Sequence, residues 1–179
     1  MRITISGTPG SGKSTVAKML EARLGYPRVN GGDIFREEAT RRSMTLNEFG
    51  MWLSEHPEWD EQLDARLMDA GRTHDDVILE GRLTGLMSKR DGLDAFRIWM
   101  TAGEPVRIDR LQKRDGGTHE EAQKRLAERA KSERDRYRKT YGLDLGDLSV
   151  YDLVVETDTT TPENVVSVIL ERINAPPDP

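Results

Sequence analysis

The 179-residue chain contains no cysteine and only three histidines, His56, His74 and His119, scattered along its length. Disulfides, thiol nucleophiles and cysteine zinc sites are thereby excluded, and no histidine cluster is left for a metal. No stretch approaches the ~20 apolar residues of a membrane span, and Met1-Arg2 runs straight into a strand pattern without an apolar signal core. These absences predict a soluble, unprocessed protein of a reducing cytoplasm, with no membrane partner. Internal repeats are missing, and the length suits one domain with insertions rather than two domains. The net charge of -5 argues against nonspecific nucleic-acid binding. Its distribution is uneven, because residues 105–141 hold twelve Lys and Arg against seven Asp and Glu, a local charge of +5.

What the chain does have is Gly7-Thr8-Pro9-Gly10-Ser11-Gly12-Lys13-Ser14, followed by Thr15. It follows the apolar run Ile3-Thr4-Ile5 and precedes Val16, Ala17, Leu20 and Leu24 at helical spacing. A G-x-x-x-x-G-K-S segment between a strand and a helix is a phosphate loop: the glycines let successive N–H groups turn inward, towards the positive end of the helix dipole. Lys13 is placed to reach the β- and γ-phosphates of a nucleotide, and the Ser14 hydroxyl to ligate Mg²⁺.

Further along, Arg28-Val29-Asn30 reads as a short second strand ending at Gly31-Gly32, after which Asp33 opens a helix that projects Arg36 towards the strand end. In an open parallel sheet that edge is where ligands sit, which makes Arg36 a candidate for a second phosphate. Residues 45–71 suggest a helical insertion. Thr45-x-x-Glu48 is a capping box, Pro57 suits a first turn after His56, and Phe49, Trp52, Leu53, Trp59, Leu63, Leu67 and Met68 form helix-spaced apolar faces. Both tryptophans are expected to pack the two helices together, and His56 to lie in the loop or cap.

Asp76-Val77-Ile78-Leu79-Glu80-Gly81-Arg82 has the apolar run of a buried parallel strand. Glu80 at its carboxyl end is a candidate for the Mg²⁺ shell, or alternatively a partner of Arg82, which points into the same crevice. A fourth strand spans 96–100. From Glu104-Pro105 a helix carries Arg107, Arg110 and Arg114 on one face and stops at Gly116-Gly117. Thr118-x-x-Glu121 caps a long helix to about Tyr141 whose apolar stripe, Leu126, Ala130, Tyr137 and Tyr141, is thin. Two arginine-rich helices with so little to bury are expected to form a loosely held lid. A fifth strand over 152–157, a helix from Thr161-Pro162-Glu163, and a disordered end, Ala175-Pro-Pro-Asp-Pro, complete the chain. The predicted fold is a three-layer α/β P-loop NTPase with a five-stranded parallel sheet and right-handed crossovers.

A guanine-recognition N-K-x-D motif is absent, which disfavours a GTPase. Arginines from three places suit transfer to a phosphate acceptor, which needs alignment and charge neutralisation but no general base. The segments Gly32-Asp33-Ile34-Phe35-Arg36, Glu80-Gly81-Arg82, Glu133-Arg-Asp-Arg-Tyr-Arg138 and Tyr141-Gly-Leu-Asp resemble nucleoside monophosphate kinases, most closely the short type 2 cytidylate kinases. The resemblance implies ATP as donor, CMP or dCMP as acceptor, Mg²⁺, and a monomer. It also implies a core of residues 1–30, 72–104 and 142–175, a monophosphate-binding insertion at 31–71 and a lid at 105–141. By the same resemblance Lys13 is the loop lysine, Ser14 the metal ligand, Arg36 and Arg82 grip the acceptor phosphate, Arg110, Arg114, Arg134 and Arg136 are lid arginines, and Arg110 stacks on adenine. The sequence departs from those kinases at Asn30-Gly31, where they often carry Ser or Ala before the glycine. An adenylate or other monophosphate kinase, and a nucleic-acid-binding P-loop protein gripping through the basic segment, remain open readings.

Overall fold

β1 (Arg2–Gly7) is buried along nearly its whole length, because both faces of a central parallel strand are covered by helices. The computed structural model of the chain describes residues 1–175; residues 176–179, most of the expected disordered tail, lie outside the described residues. β2 (Arg28–Asn30), β3 (Val77–Glu80), β4 (Phe96–Thr101) and β5 (Leu153–Glu156) complete a five-stranded sheet in the order β2-β3-β1-β4-β5. All four pairings are parallel, with Ile5 beside Glu80 on one side and Ile98 on the other. The chain leaves β1 outward to β2, returns through β3, then crosses to β4. That reversal opens a crevice at the carboxyl end of β1.

Two helical layers close the sheet. On one face α1 (Lys13–Leu24) and α8 (Pro162–Asn174) bury Val16, Ala17, Leu20, Val165, Val166 and Ile169 against Ile3, Ile5, Ile98 and Met100. On the other, α4 (Pro57–Thr73) and α5 (Thr84–Arg90) cover Leu79 and Trp99 with Leu67, Met68, Leu86 and Met87. The three-layer α/β expectation is met. Helix α5 has no counterpart in the sequence reading. Its N-terminal residue carries no side-chain cap, and the donor Gly85 N–H is satisfied instead by Ser6 Oγ of β1 at 2.9 Å, a partner 79 residues away.

The inserted segment folds as α2 (Gly31–Arg41), α3 (Leu46–Glu55) and the first half of α4 around Ala39, Phe49, Leu53 and Leu63. Helix α2 begins two residues before Asp33, because the Asn30 side chain accepts from Gly32 N–H at 2.7 Å and caps it. Both Thr45–Glu48 and Thr118–Glu121 form reciprocal capping boxes. The Trp52 and Trp59 rings, 6.0 Å apart, pack the insertion as expected, and they do so around a third group: the Arg42 guanidinium lies 4.2 Å from one centroid and 4.0 Å from the other. His56 sits at the α3–α4 junction, stacked on Trp52.

Helices α6 (Glu104–Asp115) and α7 (His119–Tyr141) form the remaining hairpin, with a small core of Ile108, Leu111, Ala122 and Leu126. The roots of the hairpin are not loosely held. Tyr137 is buried in the main core and Arg136 pairs with Asp60 of α4 at 2.8 Å, both side chains nearly inaccessible. Since Phe49 is fully buried in the insertion's own core, Phe49→Ala is expected to cost about 3–5 kcal/mol, read as a lower urea midpoint at unchanged slope.

Candidate active site

The loop between β1 and α1 curls through Gly10 and Gly12, both at positive φ (+80° and +88°), where a side chain would be strained. Gly7, also at positive φ (+149°), has a further constraint: a Cβ there would stand 2.0 Å from the Met100 carbonyl oxygen of β4. Four carbonyls of the loop, those of Gly7, Thr8, Gly10 and Ser11, accept hydrogen bonds from side chains gathered around it. Lys13 Nζ donates to the Gly7 and Thr8 carbonyls at 2.9 and 2.8 Å. Arg82 Nη1 donates to Gly7 at 2.8 Å, Arg110 Nη1 to Gly10 at 3.2 Å, and Thr157 Oγ1 to Ser11 at 3.0 Å.

Cations are therefore concentrated around the loop. Burial, helped by the adjacent Arg82 guanidinium, pushes the Lys13 ammonium well below its usual range, against the opposing pull of Glu80 and Glu133. Arg82 leaves the end of β3 and pairs through Nε with Glu133 Oε2 of α7 at 2.9 Å, rather than with Glu80. Glu133 Oε1 also accepts from Arg129 Nε at 2.8 Å. Burial works against the Glu133 charge, but the Arg82 and Arg129 guanidiniums hold its carboxyl below the ordinary range.

Glu80 belongs to a second cluster. It accepts a hydrogen bond from the Ser14 hydroxyl through Oε1, and its Oε2 pairs with Arg28 Nη1 at 2.8 Å. A hydroxyl and a buried carboxylate beside the loop form a hard-oxygen donor set of the kind Mg²⁺ accepts, with phosphate oxygens and water supplying the rest. No group of three or more acidic, His or Cys side chains suited to a metal occurs among the described residues, and such a site requires none.

The candidate residues separate into those the fold brings to the loop and those it does not. Lys13, Ser14, Glu80, Arg82 and Arg110 converge there, while Pro9, Gly12 and Thr15 form the loop and the first turn. Arg110 is fixed from three directions, since it also donates to the Thr157 hydroxyl and carbonyl at 2.9 and 2.6 Å. Arg36 stands on α2, half exposed and paired with Asp33. Arg114 is exposed and pairs with its neighbour Asp115 at 2.6 Å, and Arg134 is exposed on the outer face of α7. Arg136 faces inward, to Asp60 and the Tyr137 hydroxyl, and clamps α7 onto α4 instead of facing the loop.

Sequence reasoning missed Arg28, Arg129, Glu133 and Thr157. Thr157 had a signal, since it follows an apolar strand at the carboxyl edge of the sheet, whereas the roles of Glu133 and Arg129 depend on a tertiary crossing that no local pattern encodes.

A parallel sheet in this order with a G-x-x-x-x-G-K-S loop at its switch point defines a P-loop kinase fold. A solved shikimate kinase from Bacteroides thetaiotaomicron shares that fold, with a TM-score of 0.62 at 17% identity over 98% of this chain and 99% of its own. A sequence model of the cytidylate kinase-like family matches residues 2–159, and the chain belongs to that family. Its relatives include a cytidylate kinase of Thermoplasma volcanium, 41% identical over 97% of this chain and 92% of that one. Another, from Halorubrum lacusprofundi, is 44% identical over 98% and 90%.

The clamp between α4 and α7 yields a pH prediction. Asp64 accepts from the Tyr141 hydroxyl at 2.8 Å, and burial, with the nearby Asp60 charge, pushes its carboxyl up to about 7 despite Arg136 and Arg90. The folded state thus binds the Asp64 proton more tightly than the unfolded chain, and stability is lost as pH rises from about 4 to 7, then levels. Urea unfolding across that range should show Asp64→Asn without this part of the slope.

Proposed function

We propose that the protein transfers the γ-phosphate of ATP to CMP or dCMP, giving ADP and CDP or dCDP. The observation that carries the reading is the convergence of Lys13 and Arg82 on the loop carbonyls at the sheet's switch point, within a chain about 40% identical to cytidylate kinases over nearly its whole length. The monophosphate supplies its own nucleophilic oxygen as an anion, so no protein group need remove a proton. Catalysis then depends on alignment and on neutralising charge that spreads over the transferring group.

In this reading the loop of residues 7–15 cradles the donor phosphates and Lys13 follows the group in flight. Arg82 meets the acceptor phosphate. Arg36 completes the grip once substrate draws it from Asp33, its present partner. Arg110, its guanidinium edges held by Thr157 and Gly10, offers a flat face for adenine. Ser14 and Glu80 would hold Mg²⁺, which when bound supplies charge to the phosphate oxygens. Arg136 serves as a structural clamp, and Arg114 and Arg134 lend positive potential to the hairpin. Residues 31–71 serve as the acceptor-binding insertion and 105–141 as the lid over a core of 1–30, 72–104 and 142–175. We place the enzyme in the cytoplasm as a monomer, in keeping with its lack of cysteine and its net charge. Among the described residues no helix is long and apolar enough to cross a membrane.

The deciding experiment is coupled ADP release from Mg-ATP with CMP, dCMP, UMP, AMP, GMP and shikimate. CMP and dCMP should be preferred, and Lys13→Ala should lower kcat on the order of 10²–10³-fold. Preference for AMP would keep the chemistry and overturn the base assignment, while silence with every monophosphate would overturn the kinase reading. Arg82→Ala should raise the KM for CMP about tenfold or more, since one charge-assisted phosphate contact is lost.

A further inference from the structure

Glu133 is a buried carboxylate on α7 that phosphoryl transfer, as derived above, does not use. Its two oxygens are divided between two guanidiniums, Oε2 at 2.9 Å from Arg82 Nε and Oε1 at 2.8 Å from Arg129 Nε. Arg82 is in turn tied to the phosphate loop by its Nη1 bond to the Gly7 carbonyl. A guanidinium has five donors in one plane. With Nε ion-paired to Glu133 and Nη1 hydrogen-bonded to Gly7, the Arg82 guanidinium is tethered at two of its nitrogens, and its Nη2 donors, which make no hydrogen bond among the described residues, are left for a ligand.

The charge arrangement points the same way. The Arg82 and Arg129 charges both act to lower the Lys13 ammonium, Arg129 acts likewise on Arg82, and Glu133 is the carboxylate between the two arginines. Without it, three cations would face each other across a partly buried site, and Arg82 would have reason to swing towards solvent. With it, the arginine stays extended at the mouth of the loop before substrate arrives. Because Glu133 sits on α7, this orientation depends on the long helix being docked, through the neighbouring Arg136–Asp60 pair and the buried Tyr137.

We propose that Glu133 is a positioning residue for the transfer reaction: it aims Arg82 at the acceptor phosphate and makes that aim conditional on the docking of α7. The inference rests on the monophosphate kinase reading. It is distinct from the alternative in which the carboxylate merely occupies the phosphate's place and must be expelled by substrate.

The test compares wild type, Glu133→Gln and Glu133→Asp by steady-state kinetics with Mg-ATP and CMP, alongside thermal unfolding of each protein. Turnover of CMP by the wild type is the internal control; its absence would overturn the underlying kinase reading, whatever the variants do. Given that turnover, Glu133→Gln should lose on the order of 10²-fold in kcat, the scale of a misplaced catalytic group, while the KM for CMP rises less than the roughly tenfold expected when Arg82 itself is removed, because the guanidinium charge is still present. Glu133→Asp keeps the charge but shortens the reach, and should fall between the two. A folded Glu133→Gln enzyme with wild-type kcat would overturn the proposal. So would a lowered KM for CMP with kcat retained, which would make Glu133 a competitor of the acceptor phosphate. Should Glu133→Gln not fold, Glu133→Asp decides alone: a reduced kcat supports the proposal, and a wild-type kcat overturns it.

Discussion

A phosphate loop that turns its N–H groups inward must turn its carbonyls outward, and a buried carbonyl without a donor costs about as much as a lost hydrogen bond. Much of this structure meets that one requirement. The donors come from every side of the crevice: Lys13 from the loop's own helix, Arg82 from the end of β3, Arg110 from α6, and Thr157 from the end of β5. Each of these groups lies at a carboxyl strand end or within the first two turns of the following helix. The sheet order puts those positions around β1, so the topology and the hydrogen-bond accounting are two descriptions of one constraint.

The same constraint loads the site with positive charge, and the acidic residues are distributed accordingly. Glu133 balances Arg82 and Arg129, while Glu80 balances Arg28 and receives the Ser14 hydroxyl. Farther out, the Asp60–Arg136 pair and the Asp64–Tyr141 bond fasten α7 to α4. Buried ion pairs of this kind add little net stability over apolar packing, but removing one partner is expensive. They act here to fix directions, since a guanidinium held on two edges can approach a ligand only with the third.

The sheet, its five strands and the phosphate loop were legible because their signals are local. Apolar runs such as Val77–Leu79, the glycine spacing of the loop and the two capping boxes each lie within a few residues of chain. Helix α5 was not legible, because its N-terminus is satisfied by Ser6 and Gly85 packs against the Tyr151 ring, both supplied by distant segments. The site divides along the same line. Lys13 and Ser14 follow from spacing, and Arg82 and Glu80 from their place at a strand end. Arg136 was placed in the right segment, but its face of α7 was not readable, since a thin apolar stripe between charged residues leaves the helix's rotation undetermined. For the same reason, the sequence read the hairpin as loose throughout, when Glu133, Arg136 and Tyr137 in its last turns are buried.

Helix α7 runs unbroken for 23 residues, about 34 Å at 1.5 Å per residue. Its final turns are clamped at Glu133, Arg136, Tyr137 and Tyr141, while its first turns pack against α6 through Ala122 and Leu126. Mechanically that is a cantilever. Its far end lies about 20 Å beyond the clamp and carries α6 with it through Ala122 and Leu126, so a tilt of roughly 10° at the fixed end would sweep the Gly116-Gly117 tip through about 4 Å, the diameter of a phosphate group, without breaking a single bond of the helix itself.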